Sequence, residues 1–252
     1  MPFFKPSGAP AANTGWRALL NADLKAQGNV SLAGASSVSI DGYSMAWEES
    51  GTWSGGGQLA LVAGVGLVID PSANGVNSAW FAPSLADLAS HFELTLHPDD
   101  HWAAVLSFAS FVKTQTDSFV MVSIGEDPLG YWSRAIYGRL AGDNAFRVDN
   151  NQSPGASPIT IAGVQSIGLQ AHPNGMGALA RYATSETRDW ADLSGKGSIY
   201  PGSVPTQIDS DGEDQAHTLA KFNRIGAEFT NGQPDSVVLT GLGIHYCPRL
   251  GA

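Results

Sequence analysis

The sequence predicts an all-β protein, an antiparallel β-sandwich preceded by a short N-terminal arm and helix, and three observations carry that expectation. Apolar residues alternate with polar or small ones through most of the chain, the period of a half-buried strand. The 30 glycines and 14 prolines are scattered between short apolar stretches with no triplet repeat, so they read as turns of a many-stranded protein. No strand-helix-strand alternation of the kind that builds parallel sheets is present, which leaves antiparallel sheets packed face to face.

Composition narrows the classes further. Of the 252 residues, 43% are hydrophobic and 14% charged, a balance that supports a large core and argues against disorder or a coiled coil. The formal net charge of −10 comes with no cluster of Lys and Arg. The counterion release that drives nucleic-acid binding is therefore missing, and anionic surfaces are repelled, so neither nucleic acid nor membrane is an expected partner. Cys247 is the single cysteine, so no internal disulfide forms and stability rests on packing. The opening MPFFKPSGAP lacks the features of a secretory signal. The longest apolar run, residues 59–69, is interrupted by Gly64 and Gly66 and falls well short of the about 20 residues that cross a bilayer.

Taken in order, residues 1–33 are expected to form the arm and residues 34–252 the sandwich. Trp16, Leu19, Leu20 and Leu24 follow helical spacing, with Asn13 or Thr14 as N-cap, which predicts one short helix. With Phe3 and Phe4, these four residues are the candidate contacts through which the arm reaches a larger assembly, docking on the chain's own domain being the alternative. From residue 34 the period becomes two: Val38 and Ile40, then Tyr43, Met45 and Trp47. Further strands are expected over 58–69, 91–97, 102–111, 118–124, 131–140, 145–148, 159–161 running into 166–172, 177–183, 219–229 and 237–247. Turn signals such as Asn74-Gly75, Pro98-Asp99-Asp100 and Pro173-Asn174-Gly175 separate them. Residues 189–215 are polar and rich in Gly and Pro, and are expected to be a long surface excursion.

The runs His91-Phe92-Glu93-Leu94-Thr95-Leu96, 117–125 and 236–246 give a strand rhythm that resembles concanavalin-A-like and laminin-G-like jelly rolls. The resemblance spans about residues 38–248 in style, with no diagnostic motif. The Ala/Gly/Ser-rich composition and the arm also resemble tailed-bacteriophage virion proteins, which often attach a jelly-roll module to the particle by such an arm. That resemblance implies a virion location, other virion proteins as partners and a homo-oligomer.

Several clusters carry possible chemistry, each beside a plainer reading. Asp209, Asp211 and Glu213 alternate, so their carboxylates can face one cation, and calcium is the candidate cofactor. Against this, an EF-hand loop needs Glu at its twelfth position, where Ala220 stands, and a solvated acidic loop has the same composition. The same cluster lacks the apolar neighbours that would raise the pKa of a glycosidase acid. His97, Asp99, Asp100 and His101 have a zinc-compatible composition, but Pro98 and the two aspartates make a good strand-to-strand turn. His245 and Cys247 share a strand face without a third partner for catalysis. Trp80, Tyr131 and Trp132 are candidate glycan contacts by ring stacking, with core or subunit-interface packing as the competing role. No acyl-transfer or nucleotide-binding motif occurs. The expected function is thus a non-enzymatic virion component, a capsid decoration or fibre protein; a carbohydrate-binding module is the alternative, and a glycoside hydrolase or lyase comes third.

Overall fold

In the computed structural model, which describes residues 15–53, 58–71, 75–96, 100–113, 118–125, 132–140, 143–150, 159–171, 179–196, 221–229 and 235–248, apolar alternation resolves into strands and one short helix. In chain order these are β1 (Arg17–Asp23), β2 (Val30–Ser31), β3 (Ser37–Ile40), β4 (Tyr43–Ser50), β5 (Gln58–Val62), β6 (Gly66–Asp70), β7 (Asn77–Ala82) and α1 (Leu85–His91). They continue as β8 (His101–Val112), β9 (Ser118–Gly125), β10 (Trp132–Leu140), β11 (Asp143–Asn150), β12 (Ile159–Thr160), β13 (Ser166–Ala171), β14 (Leu179–Ala183), β15 (Gly195–Lys196), β16 (Lys221–Phe229) and β17 (Ser236–Cys247).

These strands make two antiparallel sheets, so the expected all-β sandwich is what the chain adopts. One sheet has the order β12-β11-β10-β9-β16-β7-β4-β3; the other runs β15-β14-β13-β8-β17-β6-β5-β2, with β1 as its ninth strand. The long strand β17 organises the latter. Along one side it pairs with β8; its other side is shared between β6, opposite Val237 to Leu239, and β1, opposite Gly241 to Tyr246. Inward-facing rows from both sheets interlock in one core. Phe108 of β8 stacks on Tyr137 of β10 at 5.9 Å, Phe111 of β8 meets Phe229 of β16 at 6.5 Å, and Phe146 of β11 meets Tyr182 of β14 at 5.1 Å. Such offset and edge contacts are the arrangements aromatic quadrupoles favour.

Local sequence explains the clearest pieces. Asp41 and Gly42 both have positive φ, 49° and 83°, the two-residue hairpin turn whose twist matches its strands, and Ile40 consequently pairs with Tyr43. Val38, Ile40, Tyr43, Met45 and Trp47 then all face the core.

Four expectations need correction. Residues 16–24 are not helical: β1 is a strand whose register shifts between Ala18 and Leu20, and this irregularity puts Leu20, Ala22 and then Leu24 into the core. Leu20 and Leu24 suit a helical stripe and a strand equally, and the tertiary ladder to β17 decides. The sandwich accordingly begins at β1 rather than at residue 34. Of the expected strand over 91–97, the described residues 91–96 are not a strand: α1 ends at His91, and Glu93 has φ of 55°. Ser84 caps α1 by accepting a hydrogen bond from the Asp87 N–H at 3.2 Å, and Leu85, Leu88 and Ala89 supply its buried stripe. Residues 58–69 are a hairpin, β5 and β6, turned through Gly64. Finally, 159–161 does not run on into 166–172: β12 belongs to the eight-stranded sheet and β13 to the other.

Candidate functional site

Because both inward faces are spent on the core, function falls to the two outward faces. On the eight-stranded sheet, Ala79 and Phe81 of β7 point inward, which turns Trp80 outward. Register then aligns an outer row across six strands, from Glu48 through Trp80, Gly226, Met121 and Ile136 to Arg147. A neighbouring row runs Ser50, Ser78, Glu228, Phe119, Gly138 and Ala145. Trp80, Met121, Ile136 and Ala145 form an apolar cluster separate from the main core, with Phe119 against it. Arg224 places its guanidinium 5.8 Å from the centre of the Trp80 ring, a cation–π arrangement.

Glu228 lies beside this cluster. Burial pushes its carboxyl above the usual range, and the positive charges of Arg224 and Arg134 only partly offset that. The result is a carboxyl whose charged form burial disfavours, beside the positive charges of Arg224 and Arg134. Trp80 itself is only 4% exposed, so the groups at the rim, not the indole face, are what this surface offers.

The outward face of the nine-stranded sheet is covered by the chain itself. Residues 184–194 leave β14, cross over β13, β8 and β17, and return at β15. We call this segment the strap. Trp190 and Leu193 are buried on it against Ala103, Val105 and Ala183. A β-carbon at Gly168 would strike Leu193 and Trp190, and one at Gly241 or Gly243 would strike Arg188, so glycine is what lets the strap sit this close. Polar ties complete it. Ser166 Oγ donates to the Ser185 carbonyl at 2.9 Å and accepts from the Thr187 N–H at 2.8 Å, while His245 Nε2 donates to the Arg188 carbonyl at 2.7 Å. Lys25 pairs with Glu186 at 3.1 Å and Arg188 with Asp23 at 3.6 Å, joining the strap to the end of β1 and the turn after it.

The residues singled out from sequence distribute as follows. Leu20 and Leu24 are buried in the domain's own core, Leu19 packs at its margin, and Trp16 lies 5.9 Å from the Trp190 ring and 6.4 Å from His101. Trp132 opens β10 opposite Gly125, with its side chain outside the described set. Phe3, Phe4, Tyr131, Asp209, Asp211 and Glu213 lie outside the described residues. Among the described residues, no three of His, Cys, Asp and Glu are grouped to hold a metal. Asp100 is buried and accepts from the Tyr246 hydroxyl at 3.1 Å, and His101 Nδ1 accepts from Gln170 at 2.8 Å. The His245 imidazole is engaged by Arg188, and burial, with Asp100 nearby, holds the Cys247 thiol above its usual range, so it stays protonated.

Arg134, Arg224 and Glu228 were not foreseen. The one hint was the alternation Arg224, Gly226, Glu228, opposite in phase to the apolar Ile225, Ala227 and Phe229.

No family model, curated protein or solved structure matches this chain.

Proposed function

We propose that this chain is a non-catalytic structural module carried on a larger assembly by the residues before Gly15, and we infer a virion as the setting, with the module a capsid decoration or fibre component. The observation that supports this reading is the placement of β1. The first described strand is joined to the sheet along one edge, paired at six positions with β17, and its Leu20 and Ala22 are fixed in the core. A tether attached before Arg17 would be held by these six pairs. A frayed terminus would offer no such purchase. Association with further copies of the chain and with other virion proteins belongs to the same proposal.

The test is the mass in solution, by size-exclusion chromatography with light scattering, of the full chain and of a chain beginning at Gly15, which keeps β1 intact. An oligomer that dissociates on this deletion supports the reading. A monomer in both cases overturns it.

A second reading, carbohydrate binding, is favoured by the Arg224, Arg134 and Glu228 rim on the eight-stranded sheet. Binding on a glycan array that is lost in Arg224→Ala and Glu228→Gln supports it; silence of the intact protein counts against it. Calcium at Asp209, Asp211 and Glu213 is an accompanying proposal. It predicts a melting temperature that falls in EDTA and recovers with added Ca²⁺; no change in either step refutes it.

A further inference from the structure

His245 is 1% exposed, on the outward face of β17 directly beneath the strap. Its partner, the Arg188 carbonyl, can only accept, so Nε2 carries a proton and, in the neutral ring, Nδ1 has a lone pair. A second proton would place a cation between a sheet and the strap that covers it, where burial disfavours charge.

The surroundings do little to relieve that. The strap contributes the charges of Arg188, whose guanidinium pairs with Asp23, and of Asp189. β1 and β8 place Ala18 and Ala103 opposite His245 in the ladders, with Arg17 and His101 one and two positions further along. Cys247, on the same face of β17, keeps its proton. Burial opposes the imidazolium more strongly than the Arg188 carbonyl and the Asp189 carboxylate together favour it, so the imidazole titrates below its ordinary range. The sign follows directly. A base whose pKa is depressed when covered binds protons better when uncovered, so the covered state is favoured at neutral pH and loses ground as pH falls through the ordinary histidine range.

We infer that residues 184–194 form an acid-released latch: protonation of His245 opens the strap and uncovers the outward face of the nine-stranded sheet. Besides its ties to Ser166, His245, Lys25 and Asp23, the strap carries hydrogen bonds of its own that suit it to moving as a unit. Asp189 N donates to Thr187 Oγ1 at 3.0 Å, Thr187 Oγ1 donates to Asp192 at 3.1 Å and Ala191 N donates to Asp189 at 2.9 Å. The surface uncovered is Ala103, Val105 and the glycines of β13 and β17, flat and apolar.

Hydrogen exchange read by mass spectrometry tests this on the full chain between about pH 7.5 and 5.5, a window above the ordinary carboxylate range. After correction for intrinsic exchange, protection of the 184–194 peptides is expected to fall several-fold across the window while β8 and β17 keep theirs. In His245→Gln, whose amide can still donate to Arg188, the strap is expected to show no pH dependence. His101→Gln, altering the histidine next to Trp16, should behave as the parent. Unchanged strap protection in the parent chain, or the same fall in His245→Gln, overturns the latch. Should His245→Gln not fold, the His245 ring is followed by NMR in the parent chain. A titration midpoint matching that of strap exchange supports the latch, and one well apart from it overturns it.

Discussion

The two outward faces of this sandwich solve the same problem with opposite residues. On the nine-stranded sheet Gly168, Gly241 and Gly243 stand beside Ala103 and Val105, and the small side chains let a segment of main chain, the strap, lie directly on the sheet. On the eight-stranded sheet Trp80, Met121, Ile136 and Phe119 gather into a cluster of their own, with arginines and Glu228 at its border. Small residues mark a face shaped for backbone. Large buried apolar residues bordered by charge mark a face whose polar rim is what it offers, which is where ligand recognition is proposed.

Substitutions sharpen that contrast, and the largest effect is expected at Trp190. Trp190→Ala removes the ring that anchors the strap and should cost about 3–5 kcal/mol in urea unfolding, with strap exchange rising at every pH. Equal exchange in the variant would mean that the ring is not what holds the strap. Next comes Gly243→Val, which forces a side chain against the Arg188 carbonyl. Overpacking of this kind costs about 1–3 kcal/mol, read as a lower melting temperature together with lost strap protection.

Effects on the eight-stranded sheet are smaller and of mixed sign. Because burial raises the Glu228 carboxyl above its ordinary range, the folded state holds that proton more tightly than the unfolded chain does. Its contribution is therefore most favourable at acid pH and declines as pH rises through the folded value. Glu228→Gln should stabilise the protein at neutral pH by on the order of 1 kcal/mol, with the gain shrinking toward acid. A loss of stability at pH 7 would show that the two arginines outweigh burial. Smallest of all, Arg224→Leu should cost about 0.5–1 kcal/mol through the lost contact with Trp80, and should move the Glu228 titration further upward.

Much of this fold was legible in the sequence wherever one strand face is buried and the other wet. The β3–β4 hairpin is written in its alternation and in Asp41-Gly42, and the long strands β8, β10, β16 and β17 fall within a few residues of their expected spans. Legibility fails where that condition fails. Every residue of β7 is buried, so it shows no alternation and went unrecognised although it lies in the middle of its sheet. In β1 the irregularity at Leu19 breaks the period of two and leaves a spacing that imitates a helix. α1 is readable from Ser84 and Asp87, but the alternation just after it imitates a strand. The Arg224, Arg134 and Glu228 rim was hidden for another reason: its rows combine residues of β7, β9, β10 and β16, and only register brings them together.

The central claim is that the N-terminal strand is a working member of the sheet, so that a tether before it grips the whole sandwich. Hydrogen exchange of β1 tests it most directly. The account predicts that amides of residues 18–23 bonded to β17 exchange as slowly as those of β17 itself, through global unfolding. Exchange at the rate of a frayed terminus, with β17 still protected, would contradict it.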